Sequence, residues 1–319
     1  MELHVWGSYK DGVISNFDPE CLAAIYYIMF TETDVKVVPS SNSFNYKLPY
    51  LKKNDGEAIS GYESIVAYLE KENGGKLDNW LSNEQFLLNN GLKVFIMDKI
   101  HSLTQYVLFL NKENYEQYTR GLFKKLLPFP MQYNAPLVYR DDAVKRCSNV
   151  GLNLDTGMLL GGVGYEDSTI EELLESEKKL KNTPNLTRLH SQKQQEKLNE
   201  LLLRKNSINN MHCIHLAESY YNRILEFSRE NNRNDDFSLF IFGEQLSSSD
   251  LLFFAQLNCQ TLDVLPNNFM KIYLNFKFPN LIAKLEKFNN EFVNFKNLNI
   301  ELPKDKDYPS LFNYIKTCL

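Results

Sequence analysis

Three groups of residues in this 319-residue chain have the types and spacing that chemistry needs. The first is Ser60–Gly61–Tyr62–Glu63, which opens a helical pattern. The first turn of a helix carries unpaired N–H groups and the positive end of the helix dipole, so it favours an anion, whether a ligand's or the chain's own. The second is "WGSYKDGVISNFDPEC", where Ser8, Tyr9, Ser15 and Cys21 offer hydroxyl or thiol groups. A Tyr or Ser hydroxyl there can stabilise a thiolate. The third is "MHCIHLAE", with Cys213 between His212 and His215. Two histidines three apart can share a helix face, but zinc needs three or four ligands and no further ligand suggests itself, so no metal is expected. There is no G-x-S-x-G, no H-E-x-x-H and no phosphate-binding glycine loop, since "GGVG" (161–164) lacks the Lys and the following helix. The expectation is a chain with no catalytic residue, cofactor or metal.

Composition narrows the class. Hydrophobic residues make up 43% of the chain, including 21 Phe and 18 Tyr, which supplies a globular core. A net charge of -5, with 35 basic residues interspersed among 40 acidic ones, argues against nucleic acid as a partner. The 5 cysteines (Cys21, Cys147, Cys213, Cys259, Cys318) are scattered, odd in number and without CxxC spacing, which fits a reducing compartment. No secretory signal is expected at "MELHVWGSYKDG", and no window offers the ~18 uninterrupted apolar residues of a membrane helix. Any membrane attachment is therefore expected to come through a partner.

The elements that must position these groups are legible in outline. "LHVW" (3–6) and "VKVVP" (35–39) read as strands on either side of a helix over 16–30. Asp18 is the expected cap of that helix, Pro19 suits its first position, and Phe17 and Leu22 form a staple. "YKLPYL" and "EAIS" flank the turn signal Asp55–Gly56. Ser60 and Glu63 have capping-box spacing ahead of Tyr62, Ile65, Val66 and Leu69. The order strand–helix–strand, hairpin, helix over residues 1–75 gives a thioredoxin-like arrangement. From about residue 80 to 319 the patterns are helical: 83–110, with a break expected near Gly91, then 111–127, then a helix beginning at "APLVYRDD". Further helices are expected at 208–230, 240–262, 278–295 and 308–319. Ser247 and Asp250 form a second expected box, with Leu246 and Leu251 as its staple. Residues 153–206, glycine-rich and then charged, read as a long excursion, partly helical and partly disordered.

A thioredoxin-like start before an all-helical remainder resembles the glutathione-transferase architecture, an α+β, mostly α fold. Leu48–Pro49 stands where that fold keeps a cis-proline, and "FGEQLSSSDLL" resembles the F-G-x-x-x-S-x-x-D helix start of its helical domain. Together "LHVWG…FDPECLAAIYYI", "KLPYLKKNDGEAISGYESIVAYL" and "YVLFLNKENYEQYTRGLFKKLLPFPMQYNAPL" resemble the metaxin family, and within it the fungal type that serves the mitochondrial sorting and assembly machinery.

That resemblance implies a non-enzymatic, peripheral subunit on the cytosolic face of the mitochondrial outer membrane. Its implied partners are a membrane-embedded β-barrel assembly subunit, a second metaxin-like subunit, the general import translocase and β-barrel precursors, whose insertion, folding and release it supports. The competing implication is a cytosolic glutathione-dependent transferase. Those enzymes grip the γ-glutamyl carboxylate with a Glu/Gln–Ser pair, and aligning "IVAYL" puts Gly61 and Tyr62 at these positions. Asp18 stands about where redox relatives place a reactive Cys, and a carboxylate there disfavours a neighbouring thiolate. For partner contact the candidates are Phe129, Met131 and Tyr133, aromatic and Met side chains of the kind interfaces favour.

Overall fold

Short β-branched and aromatic runs build the sheet. β1 (Glu2–Trp6) pairs in parallel with β2 (Lys36–Ser40) and antiparallel with β3 (Tyr50–Lys52), which pairs with β4 (Ala58–Ser60), giving the order β2-β1-β3-β4. Leu3, Val5 and Trp6 in the central strand are buried because helices and strands cover it on every side. The computed structural model describes residues 1–43, 46–152, 188–231, 239–243, 245–304 and 309, with only the backbone of 188–205.

The α1 helix (Pro19–Thr31) crosses between β1 and β2. Asp18 caps it, accepting a hydrogen bond from Cys21 N at 2.8 Å, and Phe17 and Leu22 are both buried beside the cap. The hairpin turns at Gly56, whose φ of 91° only glycine adopts without strain. The Leu48–Pro49 peptide bond is cis, as is Phe129–Pro130.

One expected helix start is different. Ser60 ends β4, paired with Tyr50, so its backbone is committed to the sheet. The turn into α2 (Tyr62–Glu72) is made by Gly61 at φ 87°, and no side chain of this segment caps the helix. The Ser60–Glu63 box therefore does not form. The strand ladder and the glycine turn outweigh a local cap, and the cap comes from elsewhere in the chain.

α3 (Asn83–Phe95) starts with a box the spacing Ser82–Gln85 offers. It passes through Gly91 without a break and continues through π-helical turns at Ile96–Ile100 and Tyr106–Leu110 around α4 (His101–Gln105). After α5 (Lys112–Asn114), a π turn at Tyr115–Thr119 leads to α6 (Arg120–Leu126). α7 (Met131–Asn149) begins one turn earlier than expected and carries Pro136 inside.

α8 (Arg188–Asn231) is one 44-residue helix, so the last part of the supposed excursion is regular helix. Residues 153–187, and the expected helix at 308–319 apart from Pro309, lie outside the described residues. α9 (Ser248–Gln260), α10 (Phe269–Lys277) and α11 (Pro279–Phe292) follow.

One buried cluster runs from Leu3 to Phe288, so sheet and helices share a core. α9 is its axis, packed against α1, with Asn258 Nδ2 donating to Tyr26 Oη at 2.9 Å. Beyond α11 the chain returns to the sheet. Val37 N donates to Asn299 O at 2.8 Å and Glu301 N to Val37 O at 3.0 Å, which closes the outer edge of β2. Among the described residues no helix is long and apolar enough to cross a membrane.

Candidate functional site: a helix start filled from within

The group most able to bind an anion is the N-terminus of α2, next to the cis peptide at Pro49. Glu20, in the first turn of α1 and almost wholly buried, reaches it from the neighbouring helix. Its Oε2 accepts from Tyr62 N at 3.3 Å, and its Oε1 accepts from Lys47 Nζ at 2.9 Å. A Cβ on residue 61 would stand 3.7 Å from Glu20 Oε2, so the glycine is required by its backbone angle rather than by crowding. Burial alone raises the Glu20 carboxyl, but the charge and hydrogen bond of Lys47 outweigh it and hold the group below its ordinary value. A permanent carboxylate thus sits on the amide that would hold a ligand's.

Thiol chemistry fares no better nearby. Asp18 is pushed up to about 6, first by burial and then by the charge of Glu20. Cys21 is fully buried, its Sγ accepts from Trp6 N at 3.5 Å, and burial followed by the Asp18 charge pushes its thiol well up. A thiolate is disfavoured twice over. Tyr9 lies in the turn after β1, with the Lys10 ammonium 5.6 Å from its ring, and Ser15 is buried.

The space between the end of the sheet and the helices is occupied by rings. Tyr139 of α7 meets Trp6 at 5.7 Å, Phe123 at 5.4 Å and Phe109 at 6.3 Å, and Trp6 meets Phe17 at 5.4 Å. Burial raises the Tyr139 hydroxyl to about 12, so it stays protonated.

A second buried helix start lies behind the first. Ser247 and Asp250 form the box at α9, the Ser247 hydroxyl accepting from Asp250 N and the Asp250 carboxylate accepting from Ser247 N at 3.0 Å and Ile241 N at 2.9 Å. Asp78, from the segment between α2 and α3, adds an acceptor. It takes Ser248 N at 2.8 Å, Ser248 Oγ at 2.6 Å and Asn89 Nδ2 at 3.0 Å. Tyr62 joins the two starts: its hydroxyl donates to Ser248 O at 2.7 Å while its amide donates to Glu20. Burial is the main cause that pushes Asp250 up to about 6. Both starts hold anions of the chain's own.

The structure separates the remaining candidates. Phe129 and Tyr133 are exposed, whereas Met131 is buried under the start of α7, so the partner-contact expectation fails for Met131 because its side chain completes the core. Cys213 is buried while His215 on the same helix is exposed, so they do not converge, and no cluster of three metal-ligating residues occurs among the described residues. Sequence reasoning missed Glu20, Lys47, Asp78 and Tyr139. Only Glu20 carried a signal, as an acid in a first turn.

Residues 21–140 match the family model described as outer mitochondrial membrane transport complex protein (Tom37), and residues 165–319 match the Tom37 C-terminal domain. The Drosophila melanogaster Metaxin-1 homolog is 32% identical over 133 residues, covering 41% of this chain and 40% of that protein. Mouse Metaxin-1 is 26% identical over 139 residues, 43% of each chain. The matches thus span about two fifths of these relatives' own length.

Among solved structures, the glutathione transferase GSTFuA3 of Phanerochaete chrysosporium has a TM-score of 0.53 at 12% identity, covering 92% of this chain and 98% of that one. The transferase CsGST63524 of Ceriporiopsis subvermispora, solved with glutathione, has a TM-score of 0.52 at 13% identity with the same coverage. Identities so low speak for the fold alone.

Proposed function

We propose, from the premise that the chain belongs to the metaxin family of outer mitochondrial membrane transport complex proteins, that it is a non-enzymatic scaffold of β-barrel assembly. It acts as a peripheral subunit on the cytosolic face of that membrane. With a membrane-embedded β-barrel subunit and a second metaxin-like subunit, it supports insertion, folding and release of barrel precursors, and it couples them to the import translocase.

The observation that carries the scaffold reading is the Glu20 carboxylate on Tyr62 N. Where a transferase holds its ligand, this chain holds itself, and the neighbouring thiol is driven towards its neutral form. What remains for binding is surface. Along α3, Phe86, Leu87 and Val94 are exposed, and the helix's Lys93 is buried. Exposed apolar side chains of this kind suit a protein partner.

Affinity purification of the full chain from mitochondria, with identification of what it brings along, tests the reading. The expected companions are the embedded barrel subunit and the second metaxin-like subunit, with no retention on immobilised glutathione. Retention there, with a thiol-conjugating activity that drops on Tyr9→Phe, would establish the cytosolic transferase instead.

A further inference from the structure

A second exposed apolar surface lies where α6 gives way to α7. Phe129, in the turn between α6 and α7, is 77% exposed, and Tyr133 and Leu137, one and two helical turns on, are 50% and 55% exposed. The Phe129 and Tyr133 rings meet edge to face at 6.1 Å, so they form one ledge. Beside it, α6 exposes Arg120, Lys124 and Lys125. The Arg140 guanidinium lies 4.7 Å from the centre of the Tyr115 ring, which fastens this side of α7 against the turn leading into α6. Lys124 and Lys125 lie in the last turn of α6, a few residues before Phe129, so these cations and the ledge are neighbours along the chain.

The exposed acids on the same elements are Glu116, a turn before Arg120, and Asp141 and Asp142, of which Asp142 pairs with Lys145. Among the described residues no ion pair engages Arg120, Lys124 or Lys125. In a chain of net charge -5, Arg120, Lys124 and Lys125 make this stretch locally positive, which suits an anionic surface. Protein interfaces deplete Lys at their cores. A phospholipid surface has the opposite preference: aromatic rings settle at headgroup depth, and Lys and Arg are drawn to lipid phosphate.

We propose that the α6–α7 turn is a membrane-surface contact, with Phe129 and Tyr133 seated among the headgroups of an anionic bilayer and Arg120, Lys124 and Lys125 on lipid phosphates. This rests on the peripheral outer-membrane reading but needs no partner protein, in contrast to the expectation that attachment comes only through one.

Flotation of the purified full chain with vesicles separates the possibilities. The chain floats with phosphatidylcholine vesicles containing phosphatidylserine, does not float with phosphatidylcholine alone, and detaches as salt rises, because exposed charges are screened. Lys124→Gln with Lys125→Gln weakens partition roughly thirtyfold, and Phe129→Ser weakens it roughly tenfold. Neither changes the thermal midpoint, because these side chains are exposed.

Failure to float, equal flotation with neutral vesicles, or variants that float like the parent overturn the proposal. So does a photo-crosslinker at position 129 that captures protein rather than lipid in outer membranes. Normal flotation without the expected companions on purification sinks the assembly role and leaves this contact standing.

Discussion

The two buried helix starts, at α2 and α9, face the same physical problem and solve it with different reach. At α9 the acceptors Ser247 and Asp250 stand three residues apart and close on each other, with Asp78 added from the connecting segment. At α2 there is no local cap, and Glu20 arrives from another helix, 42 positions away, balanced by Lys47. A local cap is a property of a few residues. A borrowed one exists only after the fold has formed, so it reports tertiary structure.

The sharpest way to break the comparison is Asp78→Ala. It strips three buried donors of their acceptor and should cost about 4 kcal/mol in denaturant unfolding. A loss under about 1 kcal/mol would mean that the Ser247–Asp250 box holds α9 alone. Glu20→Ala should cost less, about 2 kcal/mol, because Lys47 is largely exposed and regains water while Tyr62 N is left unpaired.

The two starts should also respond to pH with opposite signs. Asp250 is raised from 3.8 to about 6, so the folded chain binds the extra proton in that interval. Its contribution is complete below the unfolded value and is lost as pH rises through about 6, a slope of up to ~1.4 kcal/mol per pH unit. Asp18 has the same sign. Glu20 is lowered, so its contribution is present above the unfolded value and lost as pH falls through the folded one. Stability measured across the acid range should therefore lose part of its fall between about pH 4 and 6 in Asp250→Asn. It should lose part of its drop at lower pH in Glu20→Gln. Identical profiles for the two variants would contradict the assignment. The smallest effect is expected from Tyr62→Phe, about 1 kcal/mol for the single bond to Ser248 O that joins the two starts.

This contrast also marks what the sequence disclosed. Asp18 and the Ser247–Asp250 box are i to i+3 relations, and a spacing rule finds them. Ser60–Glu63 has the same spacing and failed, because pairing of Ser60 with Tyr50 and the φ of Gly61 decided the matter first. The sheet and most helices were legible through periodicity, yet Gly91 did not break its helix and Met131 turned inward. Neither outcome is encoded within a few residues: each depends on what packs against the segment. Glu20, Lys47, Asp78 and Tyr139 belong to the same class, since their partners lie tens of residues away or on another element.

The pairing of Asn299 and Glu301 with Val37 has a consequence for how the molecule is made. The outer rim of the sheet is sealed by residues that leave the ribosome long after its own strands do. Until those residues emerge the rim stays open to any extended segment that passes, so a nascent chain of this kind is adhesive along it during that interval.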